Sequence, residues 1–105
     1  MIALIIVVID DIIYEIACID DYIKYLKSEI KRLATIDKYY LKMEKSKKDK
    51  DKEYFLEGIN LMLSDGETIE NFHEISKEYN DVLKVKEDNV SKLYNEIKII
   101  KKLKV

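Results

Sequence analysis

The sequence predicts an all-α protein: a long antiparallel helical hairpin or three-helix bundle with coiled-coil-like packing, formed by a single helical domain over residues 1–105. Apolar residues recur at alternating steps of three and four over the first 40 residues. The chain of 105 residues also contains no proline and only two glycines, so little interrupts regular structure. Finally, net charge alternates between successive segments, which indicates how the chain folds back.

The first helix is predicted over about residues 2–45. Its apolar residues form a heptad seam in which eleven of twelve positions are apolar and Asp37 is the exception. The seam comprises Ile2, Ile5, Ile9, Ile12, Ile16, Ile19, Ile23, Leu26, Ile30, Leu33, Asp37 and Tyr40. Because such a helix buries a continuous stripe against another helix, the segment indicates packing rather than chemistry.

A polar segment separates the first helix from the second. Residues 44–53 carry no large apolar side chain, which predicts a hairpin turn near residues 46–51. Apolar spacing resumes with Phe55, Ile59 and Met62. We therefore expect a second helix over about residues 51–63.

A capping motif predicts where the third helix begins. Ser64 and Glu67 have the spacing of a capping box, in which each side chain bonds the backbone of the other residue. The third helix is therefore expected over about residues 65–103. Its heptad register, interrupted by Ser76 and Lys86, comprises Ile69, Phe72, Tyr79, Leu83, Val90, Leu93, Ile97 and Ile100.

The charge pattern predicts an antiparallel fold-back. Residues 1–23 have a net charge of −5, residues 24–52 of +6, residues 53–97 of −7 and residues 98–105 of +4. If the chain reverses near residue 49, position i faces roughly position 100 − i, so the basic residues 24–47 lie beside the acidic residues 53–76, and the terminal lysines lie near Asp10 and Asp11. Flanking charges of this kind select register and orientation, so the partner helix is expected to come from the same chain.

The N-terminal apolar run invites other interpretations. Residues 1–9 are wholly apolar, but the run is far shorter than the ~20 residues of a membrane span. It also lacks the basic start and cleavage site of a signal peptide, so neither is expected. As an alternative to helix, residues 2–9 and 97–105 could pair as short antiparallel strands. The first segment is rich in β-branched residues, and the second shows partial alternation of apolar and polar residues.

A second apolar stripe lies opposite the seam of the first helix, and a hairpin can cover only one of the two. Isoleucine at both seam positions favours three or four packed helices over two. We therefore expect a homodimer whose N-terminal halves meet in a four-helix arrangement, or else a docking face for a different protein. The residues expected on this face are Leu4, Val7, Tyr14, Cys18, Tyr22 and Tyr25.

Catalysis, metals and cofactors are not expected. Glu70 and His73 have the Glu-x-x-His spacing of di-metal helical bundles, but those sites need the motif twice and this chain has it once. A nucleophile and base would have to be Cys18 and His73, which the fold-back rule places far apart. Phosphate-cradling, zinc-ligand and dinucleotide motifs are absent from the sequence.

A lysine-rich segment around the predicted turn is a possible nucleic-acid site. Its lysines could contact phosphates, but aspartates interleave at positions 49 and 51 and the sequence pI is near 5.5. A solvated hairpin tip is therefore favoured over nucleic-acid binding. The lysines concerned are Lys42, Lys45, Lys47, Lys48, Lys50 and Lys52.

Taken together, these patterns favour a non-catalytic helical protein–protein interaction module, an assembly or adaptor protein that self-associates through its N-terminal half. Two alternatives stay open: a small stoichiometric inhibitor that masks a partner protein, as in mobile elements or viruses, and a nucleic-acid-associated accessory protein that uses the lysine-rich tip. A single cysteine excludes an intramolecular disulfide and favours a cytoplasmic location.

Overall fold

The computed structural model describes residues 2–103, which form three helices: α1 (Ile2–Lys45), α2 (Asp49–Met62) and α3 (Phe72–Lys102). The predicted all-α class is confirmed, and the described residues include no strand. The alternative of paired terminal strands is wrong for residues 2–9 and 97–102, which are helical. Residues 104 and 105 lie outside the described part of the chain.

The chain divides into two compact units. One, here called the three-helix unit, comprises residues 27–80. The other, the two-helix unit, is formed by residues up to 26 together with those from 81 onward. Helices α1 and α3 each contribute residues to both units, whereas α2 belongs entirely to the three-helix unit.

The core of the three-helix unit joins residues from all three helices. Leu33 and Ile36 from α1, Ile59 from α2 and Phe72 from α3 are almost completely buried and form one cluster. Ile36 does not belong to the predicted seam, yet none of its surface is exposed. The reason is that α1 packs against two helices in this unit, so it buries a wider stripe than a single heptad seam provides.

The two-helix unit packs the predicted seam of α1, from Ile9 onward, against α3. Ile12, Ile16 and Ile97 form its buried cluster, and Ile9, Val90, Leu93 and Ile100 pack against them at the edges. These residues follow the three-and-four spacing read from the sequence. With only two helices present, the opposite side of α1 is left uncovered in this unit.

The turn between α1 and α2 lies within the predicted region and uses neither glycine nor proline. Helix α1 ends at Lys45, where the Ser46 hydroxyl donates to the Lys42 carbonyl at 2.8 Å. Helix α2 begins at Asp49, two residues before the predicted start, with Asp49 and Asp51 in its first turn. Acidic side chains are favourable at a helix N-terminus because they face the positive end of the helix dipole.

The predicted start of α3 at residue 65 is wrong. Ser64 and Glu67 instead close a turn: the Glu67 amide donates to the Ser64 carbonyl at 3.0 Å, and Gly66 adopts a positive φ of 81°. The helix begins at Phe72, after a reciprocal pair in which the Thr68 amide donates to Asn71 Oδ1 at 2.7 Å and the Asn71 amide to Thr68 Oγ1 at 3.2 Å. Asparagine thus takes the place of the glutamate or glutamine usual in a capping box.

The fold-back rule also needs correction within each unit. It places Asp37 opposite residue 63, but Asp37 bonds His73, and it places Tyr22 opposite residue 78, whereas Tyr22 contacts Lys86. The cause lies in the connection from α2 to α3, which occupies residues 63–71 and was not counted in a simple hairpin. That connection shifts the pairing of α3 with α1 by eight to ten residues, which is between two and three helical turns.

Candidate interaction face

Helix α1 presents an uncovered apolar side in the two-helix unit. We call this the outer face: the exposed side of α1 between residues 4 and 25, opposite the buried seam. Leu4, Val7, Tyr14 and Tyr25 are 66%, 54%, 73% and 52% exposed, and Cys18 is exposed as well. The sequence prediction of an apolar stripe outside the helical pairing is therefore matched by the position of these five side chains.

Further apolar residues on other sides of α1 are exposed near the N-terminus. Ile2, Ile6, Val8 and Ile13 are each between 41% and 71% exposed. Sequence analysis did not select them because Ile2 fits the seam and the others belong to neither stripe. The signal was nevertheless present, since a helix that is apolar on all sides exposes large side chains unless other elements surround it.

Tyr22 lies at the edge of the outer face rather than at its centre. Its ring stacks on that of Tyr25, with centroids 6.1 Å apart and planes inclined by 16°. The ammonium of Lys86 on α3 lies 5.7 Å from the Tyr22 ring centroid, within the range of a cation–π contact. Tyr22 therefore orients Tyr25 and is itself held from the side of α3.

The exposed side of α1 also carries charged side chains. Asp10 and Asp11 lie toward its N-terminal end, Asp21 lies beyond the middle, and Lys24 lies at the C-terminal end; all four side chains are exposed. Between residues 4 and 25 the helix carries five acidic residues and one lysine, so this part of α1 is acidic overall. These charges constrain how another helix can lie on it.

The lysine-rich tip is placed as the sequence predicted, at the end of α1, in the turn and in the first turns of α2. All six of its lysines are exposed. A groove of about 550 Å³ nearby is lined by Met43, Glu44, Lys52, Glu53 and Leu56. Because acidic side chains alternate with the lysines, the local charge is mixed rather than uniformly positive.

His73 and Asp37 form a polar contact on the surface of the three-helix unit. Nε2 of His73 lies 2.7 Å from Oδ1 of Asp37, and the imidazole packs against the rings of Phe72 and Tyr40. The His73 side chain is 60% exposed, so the contact lies open to solvent. Across residues 2–103, the acidic, histidine and cysteine side chains form no cluster of three able to hold a metal ion.

Sequence reasoning missed the ion pair between Arg32 and Glu67. The guanidinium of Arg32 donates from Nη1 to Glu67 Oε1 at 2.6 Å and from Nη2 to Oε2 at 2.7 Å. Arg32 Nη1 also donates to the Met62 carbonyl at 2.9 Å, and the guanidinium bonds Glu29 on its own helix. The one arginine among 18 lysines was a signal, because bidentate recognition of a carboxylate is specific to arginine.

This ion pair shifts the pKa values of both partners. Hydrogen bonds from Arg32 lower the pKa of Glu67 against the opposing effect of burial, and the Ser64 amide, which donates at 2.8 Å, lowers it further. The carboxylate of Glu67 in turn raises the pKa of Arg32. The cluster therefore fixes the start of the α2–α3 connection against α1 and offers no free acid or base.

No protein family model matches this chain, and neither a curated protein nor a solved structure shows significant similarity to it. Within residues 2–103, none of the helices combines the length and apolar content needed to cross a bilayer. The outer face is thus assigned from its own exposure, spacing and charge.

Proposed function

We propose that this protein is a non-catalytic helical interaction module of the cytoplasm, an assembly or adaptor protein that self-associates through the outer face of α1. The observation that carries the proposal is the exposure of Leu4, Val7, Tyr14 and Tyr25, each more than half exposed, on one side of one helix. Exposed apolar side chains grouped in this way are typical of interaction sites.

A second copy of the chain is the partner that the helix itself favours. The seam of α1 has isoleucine at most of its positions, a pattern typical of three or four packed helices rather than two. Two copies that meet along their outer faces would form a four-helix arrangement in which the two α1 helices lie against each other. Because full burial of a large apolar side chain contributes about 1.5–3 kcal/mol, covering this face on both copies favours association against the entropic cost of bringing two chains together.

The tyrosines would supply much of the contact. Tyr14 and Tyr25 each combine a large apolar ring with a hydroxyl that tolerates water, as interface anchors do. Tyr25 is also held by its stacking on Tyr22. A side chain that is already oriented loses less conformational entropy when it binds.

Paired substitutions on the two sides of α1 test the proposal. The double variant Tyr14→Glu, Tyr25→Glu places charge on the outer face and should yield a folded monomer, because neither residue belongs to the buried cluster. The matched double variant Ile16→Glu, Ile23→Glu changes buried residues and should unfold the two-helix unit. Light scattering coupled to size exclusion measures mass, and circular dichroism measures helix content.

The oligomeric mass and the helix content of the two double variants together test the assignment of the interface. A dimer that survives both tyrosine substitutions would overturn the assignment of the interface to the outer face. Equal loss of helix in the two double variants would show that the outer face and the seam are not distinct. A wild-type chain that stays monomeric at high micromolar concentration would overturn self-association itself.

A further inference from the structure

In the three-helix unit, α2 covers one side of α1, and α1 repeats the same side along the two-helix unit, where it is exposed. We infer that this exposed side, the outer face, accepts a basic amphipathic helix of another protein, placed against α1 as α2 is placed in the three-helix unit. Such binding does not depend on the proposed self-association. Because both use the same residues, a bound basic helix excludes the second copy.

Contacts between α1 and α2 define the side on which a third helix packs. Arg32 donates to the Met62 carbonyl of α2 at 2.9 Å. The ring of Tyr39 lies 6.0 Å from that of Phe55, centroid to centroid, and is so close to Gly58 that an added Cβ would lie 3.0 Å from it. Arg32 and Tyr39 are seven residues apart, a spacing that keeps side chains on one side of a packed helix.

The same row continues through the outer face. From Arg32 toward the N-terminus, steps of seven reach Tyr25, Cys18, Asp11 and Leu4. Leu4 and Tyr25 are 66% and 52% exposed, and Cys18 and Asp11 are exposed as well. The two-helix unit therefore presents to solvent the row of positions that α2 covers in the three-helix unit.

Charge selects a basic helix for this position. Over residues 27–45, α1 carries six basic and three acidic residues, and the helix that covers it there, α2, carries four acidic and two basic residues. Between residues 4 and 25 the balance of α1 is reversed, with five acidic residues and one lysine. The same complementarity between facing surfaces requires a basic helix on this part of α1.

The acidic side chains lie in the row and on both of its flanks. Asp11 belongs to the row, and Glu15 and Asp21 lie on opposite sides of it; all three are exposed. The one lysine, Lys24, directly precedes Tyr25 and so lies about 100° around the helix from the row. A helix with lysine or arginine beside an apolar stripe thus meets carboxylates on either side, whereas a second copy brings like charges together.

Two matched synthetic peptides test the selection by charge. Each has about 18 residues, enough to form ~27 Å of helix, with leucine at steps of three and four; the remaining positions are lysine in one and glutamate in the other. Fluorescence anisotropy of the labelled peptides measures binding to the full chain. The lysine peptide should bind at least about tenfold more tightly at near-physiological salt, and equal binding or a preference for the glutamate peptide would overturn the inference.

Neutral substitutions test whether the acids of the outer face are responsible. The triple variant Asp11→Asn, Glu15→Gln, Asp21→Asn should raise the dissociation constant of the lysine peptide by about tenfold, because it removes three attractive pairs at the contact. The control removes three exposed acids from α3 in the same unit: Glu87→Gln, Asp88→Asn and Glu96→Gln.

The control variant should change the dissociation constant by less than about twofold, since charges away from the contact are screened by salt. Circular dichroism checks that both triple variants keep the helix content of the wild type. Equal losses of affinity in the two would show that the peptide responds only to the overall charge of the chain, and would overturn the inference.

The single cysteine reports where the peptide lies. Cys18 is exposed and stands in the middle of the row. In dilute protein, where a second copy does not shield the thiol, saturating lysine peptide should slow alkylation of Cys18 by iodoacetamide by about tenfold, because the reaction requires access to the thiolate. A peptide that binds without slowing this reaction lies elsewhere and would overturn the inference.

Light scattering with and without the lysine peptide separates this inference from the proposed self-association. At concentrations where the wild-type chain is dimeric, saturating peptide should convert it to monomers with one peptide each. A dimer that keeps its mass with the peptide bound, or that does not bind the peptide, would overturn the inference and leave self-association intact. A chain that is monomeric throughout and still binds the peptide over Cys18 would overturn self-association and support the inference.

Discussion

Arg32 holds the beginning of the α2–α3 connection against α1 with a set of bonds that lysine cannot reproduce. Its two terminal nitrogens bond both oxygens of Glu67, and one of them also reaches the Met62 carbonyl. The Glu67 side chain is only 4% exposed. Removal of one partner therefore leaves a buried carboxylate without its counter-charge, which costs more than the pair itself contributes.

Substitution of Arg32 should destabilise the protein. We expect Arg32→Ala to lower the free energy of unfolding by about 1–3 kcal/mol. This loss is smaller than that for a fully buried ion pair, because the Arg32 side chain is partly exposed to solvent. Arg32→Lys should recover only part of the loss, since an ammonium cannot form the bidentate pair. Urea unfolding followed by circular dichroism measures the effect.

The neighbouring exposed residue provides the control for Arg32. Lys31→Ala removes a charge from the same turn of α1 without touching Glu67 and should change the free energy of unfolding by a few tenths of a kcal/mol. The geometry of the ion pair indicates that it contributes to stability. Equal effects of Arg32→Ala and Lys31→Ala would contradict this.

The same pair predicts a dependence of stability on pH. The pKa of Glu67 is lowered in the folded protein from its usual value near 4.5, so its contribution is fully present above that pH and is lost as the pH falls through the folded pKa. The variant Glu67→Gln should be less stable than the wild type at neutral pH, and the difference should shrink at about pH 3. A difference that stays constant between the two pH values would contradict this assignment.

At the scale of elements, the first turn of α3 depends on a cap that sequence spacing assigned to the wrong residues. Because Thr68 and Asn71 bond each other's backbone, Thr68→Ala should lower the free energy of unfolding by about 1 kcal/mol. Ser64→Ala should have little effect, since Ser64 contributes backbone groups to its turn. Urea unfolding of the two variants measures the difference. A larger loss for Ser64→Ala would show that the cap lies at Ser64, as the sequence predicted.

Gly58 lets α2 approach α1 closely. A Cβ atom at this position would lie 3.0 Å from two ring carbons of Tyr39, so a larger residue has to displace the ring. We expect Gly58→Val to destabilise the protein by about 1–3 kcal/mol by overpacking. Asn60→Val, on an exposed position of the same helix, is the matched control; equal losses in thermal or urea unfolding would show that only helix propensity is involved.

The helices were predictable where one pattern dominates and less so where two patterns compete. The bounds of α1 follow from a seam in which Asp37 is the single polar position, and they match the structure at both ends. The start of α3 was misplaced because Ser64-x-x-Glu67 resembles the usual capping box more closely than Thr68-x-x-Asn71. Ile36 was left out of the core because a heptad seam describes packing against one helix, whereas the three-helix unit packs α1 against two.

The candidate site was predictable for a similar reason. Periodicity alone identified Leu4, Val7, Tyr14, Cys18 and Tyr25 as a stripe away from the seam, and all five are exposed. Contacts between residues distant in sequence were not accessible in this way. Arg32 and Glu67 are 35 positions apart, and their pairing depends on how the α2–α3 connection folds rather than on any local pattern.

At the scale of the whole molecule, charge and apolar pattern have separate roles. Apolar spacing decides which sides of the helices are buried, and the alternating charge blocks favour an antiparallel chain. The outer face of α1 is an apolar surface that the two-helix unit leaves exposed. A second copy of the chain is the partner that we propose for it.

Sedimentation equilibrium of the wild-type chain tests this account most directly. The monomer has a mass of 12.5 kDa, and the account predicts an apparent mass that rises toward twice this value between low and high micromolar concentration. The Tyr14→Glu, Tyr25→Glu variant should stay at the monomer mass over the same range with its helix content preserved. A wild-type mass that stays at the monomer value throughout would contradict the account.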